Sequence, residues 1–385
     1  MKINWAIFIL IISVLINIVL LIKFFLYKYI TYPKALKSLK NEISFKVHVF
    51  VPCKGWNKEL GASLESIANQ RFHNYKLIFI TESINDPAVK EIEKIRKKYN
   101  HAAHVIAGKS SRNCQKNFNL LKGIEEYPNA DVYVFCDSDI IIEENWLFRL
   151  VRPLQSRKIT VTTSFDSSTH RRENLSLVFK KFIDAYLYFL LIATGAVWGG
   201  SFAIRKDDFF RLKVNNSWEK FCVDDVSLTK ILLKKRKRGF CVPISIRHIR
   251  ENTSLSDWVT WLIRQIMFLK YYLKGYWILA LINFTIILIP IFMLPINLII
   301  SFLTNRWTIH LTISVIMFMF LYLYFGIIFL IKKERITKET LVYLYPVLFI
   351  NLYSLYTTLF NNTIKWAGKE YTLNSKGTIK TIKFK

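Results

Sequence analysis

Residues 4–27, NWAIFILIISVLINIVLLIKFFLY, carry a single charged side chain, Lys23. A helix rises about 1.5 Å per residue, so a run of this length matches a hydrocarbon core of ~30 Å. The run is too long for a cleaved leader, and no small-residue cleavage site follows it, so it predicts a retained anchor. Lys28, Lys34, Lys37, Lys40 and Lys46 come directly after it. An excess of cations flanking a span faces the cytoplasm, which predicts a linker at 28–45 and a cytoplasmic domain beyond it.

The charge balance fits this reading. The chain has 55 Lys+Arg against 27 Asp+Glu, a formal charge of +28, yet 52% of its residues are hydrophobic. A nucleic-acid binder would explain the cations but leave the apolar surplus without a role. Apolar spans with basic residues facing a membrane surface or an anionic ligand explain both. The five cysteines, Cys53, Cys114, Cys136, Cys222 and Cys241, include no CxxC pair, which points to a reducing compartment.

From 46 to 250 the pattern changes. KVHVFVPC, YKLIFITE, HVIAG, DVYVFCD and KITVTTSF read as short strands, with amphipathic helices such as DPAVKEIEKIRKKY between them. Such alternation predicts an α/β domain with a mainly parallel sheet, whose ligands collect at the carboxyl ends of the strands. After 250 the membrane pattern returns. SLSDWVTWLIRQIMFLKYYLKGYW (254–277) suits a helix lying in the interface, predicted over 251–275. Two spans follow within 276–331, then a charged loop at 332–339 and an apolar segment at 340–361. A basic tail closes the chain, with Lys365, Lys369, Lys376, Lys380, Lys383 and Lys385. Here two rules conflict. Counting spans puts the tail outside, whereas its charge puts it inside, so 340–361 is either a span or a re-entrant or interfacial segment.

The chemistry gathers at FCDSDI, where Asp137 and Asp139 close an apolar strand. Carboxylates at i and i+2 of an extended segment point to one side, and like charges so close call for a cation. All-oxygen ligands favour Mg²⁺ or Mn²⁺, which bridges readily to phosphate oxygens. The local alternative is a turn in which Asp and Ser cap the strand end. Asp224 and Asp225 open a helix, as dipole partners or, for one of them, as a general base. Gly199 and Gly200 allow backbone to approach a ligand. Pro52 and Lys54 end the first strand, and Glu82 and Asp86 follow the second, beside one another in a parallel sheet. These loops could hold a base and ribose, although Asp86 also reads as a helix cap. Lys116 and Asn119 lie at i and i+3 on one helical face, where Lys116 could meet a phosphate.

Taken in order, VPCKG, DPA, QKNFNL, FCDSDI, GGSFAIRK, VDD and IKWAGKEY resemble the motifs of membrane glycosyltransferases of families 2 and 21. The ceramide glucosyltransferase type and its bacterial lipid-glycosylating relatives are most similar. The resemblance covers about 46–275 and 364–373. It implies a GT-A fold with membrane segments on both sides, and a UDP-sugar donor contacted by Glu82, Asp86 and Asp137. It also implies a divalent metal on Asp139 and Asp137, Asp225 as base of an inverting displacement, and Trp366 within the substrate region. The family's (Q/R)xxRW signature is replaced by Trp261-Leu262-Ile263-Arg264-Gln265, in which Arg264 alone matches. Processive synthases use the missing Trp, so single-sugar transfer to a membrane lipid hydroxyl is the expectation. A processive polysaccharide synthase and a catalytically decayed nucleotide-sugar-binding scaffold are the alternatives. The implied setting is a bacterial inner membrane or an endomembrane, with the catalytic domain cytoplasmic and no nucleic acid involved; the oligomeric state stays open.

Overall fold

The computed structural model describes residues 5–111, 113–165, 174–244, 246–248, 253–332 and 334–384. The 250–251 domain boundary and Lys385 of the tail lie outside the described residues.

Helix α1 (Trp5–Leu26) does not stop where the apolar run ends. It passes through a π-helical turn at Tyr27–Thr31 into α2 (Tyr32–Lys37), so much of the expected linker is helical. Pro33 falls where the π-helical turn passes into α2, and the helix runs on through it.

A seven-stranded sheet follows. Strands β1 (Val47–Pro52), β2 (Tyr75–Thr81), β3 (Ala102–Ile106) and β4 (Val132–Cys136) are joined by α3 (Leu60–Ala68), α4 (Val89–Lys98) and α5 (Gln115–Glu126). The four strands are parallel in the order β3-β2-β1-β4. Short β5 (Ile140–Ile142), α6 (Trp146–Val151) and β6 (Val161–Thr163) lead to α7 (Leu175–Thr194) and β7 (Ser201–Arg205). Strand β7 enters beside β4 in the antiparallel sense. After α8 (Lys206–Arg211), α9 (Val214–Trp218) and α10 (Asp225–Lys234), β8 (Phe240–Cys241) completes the order β4-β7-β6-β8. Strand β9 (Ile246–His248) pairs with β5. Alternate residues of the parallel strands feed opposite cores: Val47, Val49 and Val51 pack on one face, Phe50 on the other, and both faces are covered.

The C-terminal third begins with α11 (Leu255–Tyr272) and α12 (Lys274–Phe292). Then come α13 (Leu294–Thr304), α14 (Ile309–Lys332) and α15 (Lys338–Phe360). Helices α12 and α13 form one apolar segment interrupted at Met293, between Pro290 and Pro295, each of which removes a backbone donor. Among the described residues, four segments are long and apolar enough to cross a membrane: Ile7–Lys37, Lys274–Thr304, Ile309–Lys332 and Lys338–Phe360. The last is markedly less apolar than the others.

Contacts at the helix ends give the arrangement. Lys28 Nζ donates to Ile331 O at 2.9 Å, which sets the end of the N-terminal helix beside the end of α14. Near the start of α15, Thr340 Oγ1 is 3.2 Å from Lys181 Nζ on α7. At its other end, Trp277 Nε1 donates to Thr358 Oγ1 at 3.0 Å and Lys270 Nζ to Asn361 O at 2.7 Å. Thus α15 runs along α7 and α11, its last turn tied to the junction of α11 and α12. At its C-terminal end α7 leads within six residues into β7 of the sheet.

The expected basic tail is a folded unit. Strands β10 (Thr363–Trp366), β11 (Lys369–Leu373) and β12 (Ile379–Phe384) form an antiparallel sheet. Its inner face (Ile364, Tyr371, Leu373) packs with Met267, Phe268 and Tyr272 of α11 and with Cys114 and Cys222 of the α/β domain. Phe221 bridges to Thr378, and the Tyr272 hydroxyl accepts from Cys222 N at 2.9 Å while donating to Gly377 O at 2.8 Å.

Candidate active site

Parallel strands deliver their carboxyl ends to one edge. Lys54 after β1, Glu82 after β2 and Asp137 after β4 therefore share that edge. Because β7 is antiparallel, it presents its amino end there: Ser201 pairs with Cys136, and Asp137 N donates to Gly200 O at 3.1 Å. The DSD turn is pinned from α3, whose Ser63 hydroxyl lies 2.8 Å from Ser138 O and 2.5 Å from Ile140 O.

Lys116 organises the centre. Its Nζ is 2.8 Å from Asp137 Oδ1 and 3.0 Å from Asp224 Oδ2, joining β4 to the start of α10. Burial opposes the ammonium charge, but Asp137, Asp224 and Asp225 outweigh it and hold the group protonated well above the ordinary lysine range. Asp225 lies alongside, Oδ2 accepting from Gly199 N and Oδ1 from Val226 N, both at 2.6 Å. Its pKa is raised to about 7, first by burial and then by the Asp224 charge, with Lys116 and the two N–H groups acting the other way. Burial and neighbouring Asp139 and Asp224 likewise push Asp137 to about 6 against the pull of Lys116. Carboxyls poised near neutrality belong to the range that general acid–base work requires. A side chain at Gly199 would collide: its Cβ would sit 2.9 Å from Asp225 Oδ2 and 3.0 Å from Asp224 Oδ1.

Beside these acids lies a second cluster. Lys369 Nζ on β11 is 2.7 Å from Glu82 Oε2 and 2.5 Å from Gln115 Oε1, and Lys54 Nζ is 3.4 Å from the same Glu82 oxygen. Burial alone would raise Glu82, but Lys369 and then Lys54 bring it below the usual carboxylate range. The Trp366 ring lies near two cations, 5.3 Å from Arg264 Cζ and 6.0 Å from Lys116 Nζ.

Other expected residues lie differently. Asp86 accepts from Gly55 N at 2.8 Å and Ala88 N at 3.0 Å with one oxygen, so it closes the turn leading into α4 and ties down the loop after Pro52. Asn119 is buried and accepts from Gln115 Nε2 at 2.8 Å, supporting that side chain from behind. Trp261 packs edge-on against Trp258 beneath Lys180 of α7, on the apolar side of α11, and Gln265 is half-buried on the same helix. Gln115, Lys369 and Tyr371, whose hydroxyl accepts from Gln115 N at 3.3 Å, fall within the QKNFNL and IKWAGKEY motifs, but the sequence assigns them no individual role.

Asp139 is half-buried in the turn after β4. Among the described residues no group of three or more His, Cys, Asp or Glu side chains is arranged to hold a metal ion. The turn itself offers two carboxylates and no nitrogen or sulfur ligand. That set suits a hard divalent ion which takes its other ligands from phosphate and water.

The model of glycosyl transferase family 21 matches residues 10–379. The chain belongs to this family. The family 21 match runs from α1 into β12, so it includes the C-terminal sheet. A ceramide glucosyltransferase of Komagataella phaffii is 28% identical over 139 residues, 34% of this chain and 27% of that protein. The aligned stretch thus spans about a quarter of the relative's length. Among solved structures, a mannosyltransferase from Pyrobaculum calidifontis in complex with GDP-Man and Mn²⁺ matches with a TM-score of 0.53 at 13% identity. That match covers 90% of this chain and 99% of the other, and it identifies the fold as GT-A. Glucosyl-3-phosphoglycerate synthase from Mycobacterium tuberculosis, with Mn²⁺ and UDP, matches 59% of this chain and 79% of its own at 17% identity, TM-score 0.40.

Proposed function

We propose that this family 21 glycosyltransferase moves a single sugar, glucose, from a UDP-sugar to the hydroxyl of a membrane lipid such as ceramide, with inversion. The observation that carries the reading is the Lys116 bridge between Asp137 and Asp224, with Asp225 fixed beside it on the Gly199 and Val226 N–H groups. Asp225 takes the proton of the lipid hydroxyl as its oxygen bonds to the anomeric carbon from the face opposite the diphosphate. The bond from that carbon to the diphosphate breaks, and UDP departs with the electron pair. Lys116 and Arg264 offer fixed positive charge to the departing phosphates. Glu82 and the loop tied down by Asp86 hold the nucleoside. Asp137 and Asp139 would hold Mg²⁺ or Mn²⁺, which when bound supplies further positive charge against the diphosphate.

The membrane geometry supports a lipid acceptor. In this reading α1, α12–α13 and α14 cross the bilayer, while α7, α11 and α15 lie as a platform at its cytoplasmic surface, against the catalytic domain. Three crossings put the C-terminal sheet on the catalytic side, which reconciles the span count with the positive charge of the tail. The experiment is transfer by the full chain in lipid nanodiscs, with UDP-glucose, Mn²⁺ and ceramide, followed by lipid mass spectrometry. A monohexosyl lipid is expected. A polymer ladder, or no hexose transfer to ceramide or any diacyl or sterol lipid tried, contradicts it.

A further inference from the structure

We propose that Lys369 is a positioning residue for the donor: it fixes the Glu82 carboxylate so that one oxygen faces the nucleoside, making the C-terminal sheet part of the nucleotide site. The proposal rests on the reading of the site as a nucleoside-diphosphate-sugar pocket. It goes further by giving a role to a strand 254 residues away in sequence from the helix it touches.

Four observations carry it. Lys369 is only 6% exposed, although it belongs to a segment rich in solvated lysines. A buried ammonium is costly unless its partners are fixed, and here they are, Glu82 Oε2 at 2.7 Å and Gln115 Oε1 at 2.5 Å. Gln115 is itself held: Nε2 donates to Gly108 O and to Asn119 Oδ1, both at 2.8 Å, and Oε1 also accepts from Ser110 N at 2.9 Å. The contact of Lys369 is therefore with a rigid frame rather than with a mobile surface group. Finally, Lys369 and Lys54 both donate to Glu82 Oε2, so Glu82 Oε1 accepts no hydrogen bond among the described residues. It remains an acceptor at the carboxyl edge of β2, suited to a ribose hydroxyl or a base N–H.

The turn before Lys369 is built to hold this geometry. Ala367 and Gly368 have φ of 51° and 75°, the pair of left-handed residues that a two-residue hairpin of this hand requires. The turn reverses the chain so that Trp366 faces Arg264 while Lys369, on the next strand, reaches Glu82.

The test uses the full chain in nanodiscs with Mn²⁺ and two probes, UDP and GDP, titrated calorimetrically, alongside transfer kinetics. Lys369→Met is expected to weaken UDP binding by about 10- to 100-fold, the scale for losing a side chain that orients a ligand-contacting group. Donor KM should rise in proportion while kcat at saturating donor stays within about twofold, which mere loosening of the fold would not produce. Lys369→Arg, which keeps the charge, should restore UDP affinity to within about threefold. The double variant Lys369→Met/Glu82→Gln should bind UDP no worse than the weaker single variant, because the two side chains act as one unit. Unchanged UDP affinity in Lys369→Met, or additive losses in the double variant, overturns the proposal while leaving the activity standing. Wild-type protein that binds neither UDP nor GDP overturns the reading of the site itself.

Discussion

The seven-stranded sheet and the C-terminal three-stranded sheet meet at the same site and are written in the sequence in opposite ways. The parallel strands β1, β2 and β4 are buried on both faces, so each is a nearly unbroken apolar run that ends abruptly in polar residues. The break marks the edge at which Asp137, Glu82 and Lys54 gather, and it is a local signal in the sequence. The C-terminal sheet buries one face only. On β11 the inward positions are Lys369, Tyr371 and Leu373, and the outward ones are Glu370 and Thr372. A buried lysine at the first inward position hides the alternation, and a strand that touches the site reads as part of a solvated basic tail. A one-sided sheet thus conceals its inward positions where charge is buried.

Truncation after Asn361 applies the harshest test to that comparison. If the second sheet were only a basic surface element, its loss would leave donor binding intact. Because it carries Trp366, Lys369 and Tyr371 to the site, removal should weaken UDP affinity by ~100-fold or more, about 2.8 kcal/mol. A smaller perturbation sharpens the same point by asking on which side the two sheets lie. The five native cysteines are buried, so single cysteines introduced by Lys90→Cys, Lys376→Cys and Asn305→Cys can be read against a quiet background. A membrane-impermeant maleimide should label positions 90 and 376 from one face of sealed vesicles and 305 from the other, with little effect on turnover. Labelling of 90 and 376 from opposite faces would mean that α15 crosses and that the docked sheet is not the membrane-bound arrangement.

Much of the first sheet and its site was legible for a physical reason: strand ends, glycines and paired acids are local signals. Asp224, Asp225, Gly199 and Gly200 fall within two short stretches, and the fold needed only to bring them together. Other features depended on distant packing. Asn119 was expected to face ligand beside Lys116, but three residues turn a helix by about 300°, enough to bury the amide behind Gln115. Trp261 sits one turn from Arg264, yet it packs with Trp258 under Lys180 while Arg264 turns to Trp366. The helical continuation through Tyr32–Lys37 was masked by lysines and Pro33, which read as linker although the helix runs on through them. Segment 340–361 was ambiguous because apolar content alone does not distinguish a crossing helix from one lying along a platform.

The most direct test of the central claim is Asp225→Asn measured beside wild type, with UDP binding and hexose transfer followed across pH. A base must be deprotonated to act, and burial with Asp224 lifts Asp225 to about 7, so the wild-type rate should climb through that pH and level off above it. The account predicts that Asp225→Asn keeps UDP affinity, loses ~10²- to 10⁴-fold in turnover and no longer shows that rise. Wild-type turnover in Asp225→Asn, or a wild-type rate that falls as pH rises through 7, would contradict it.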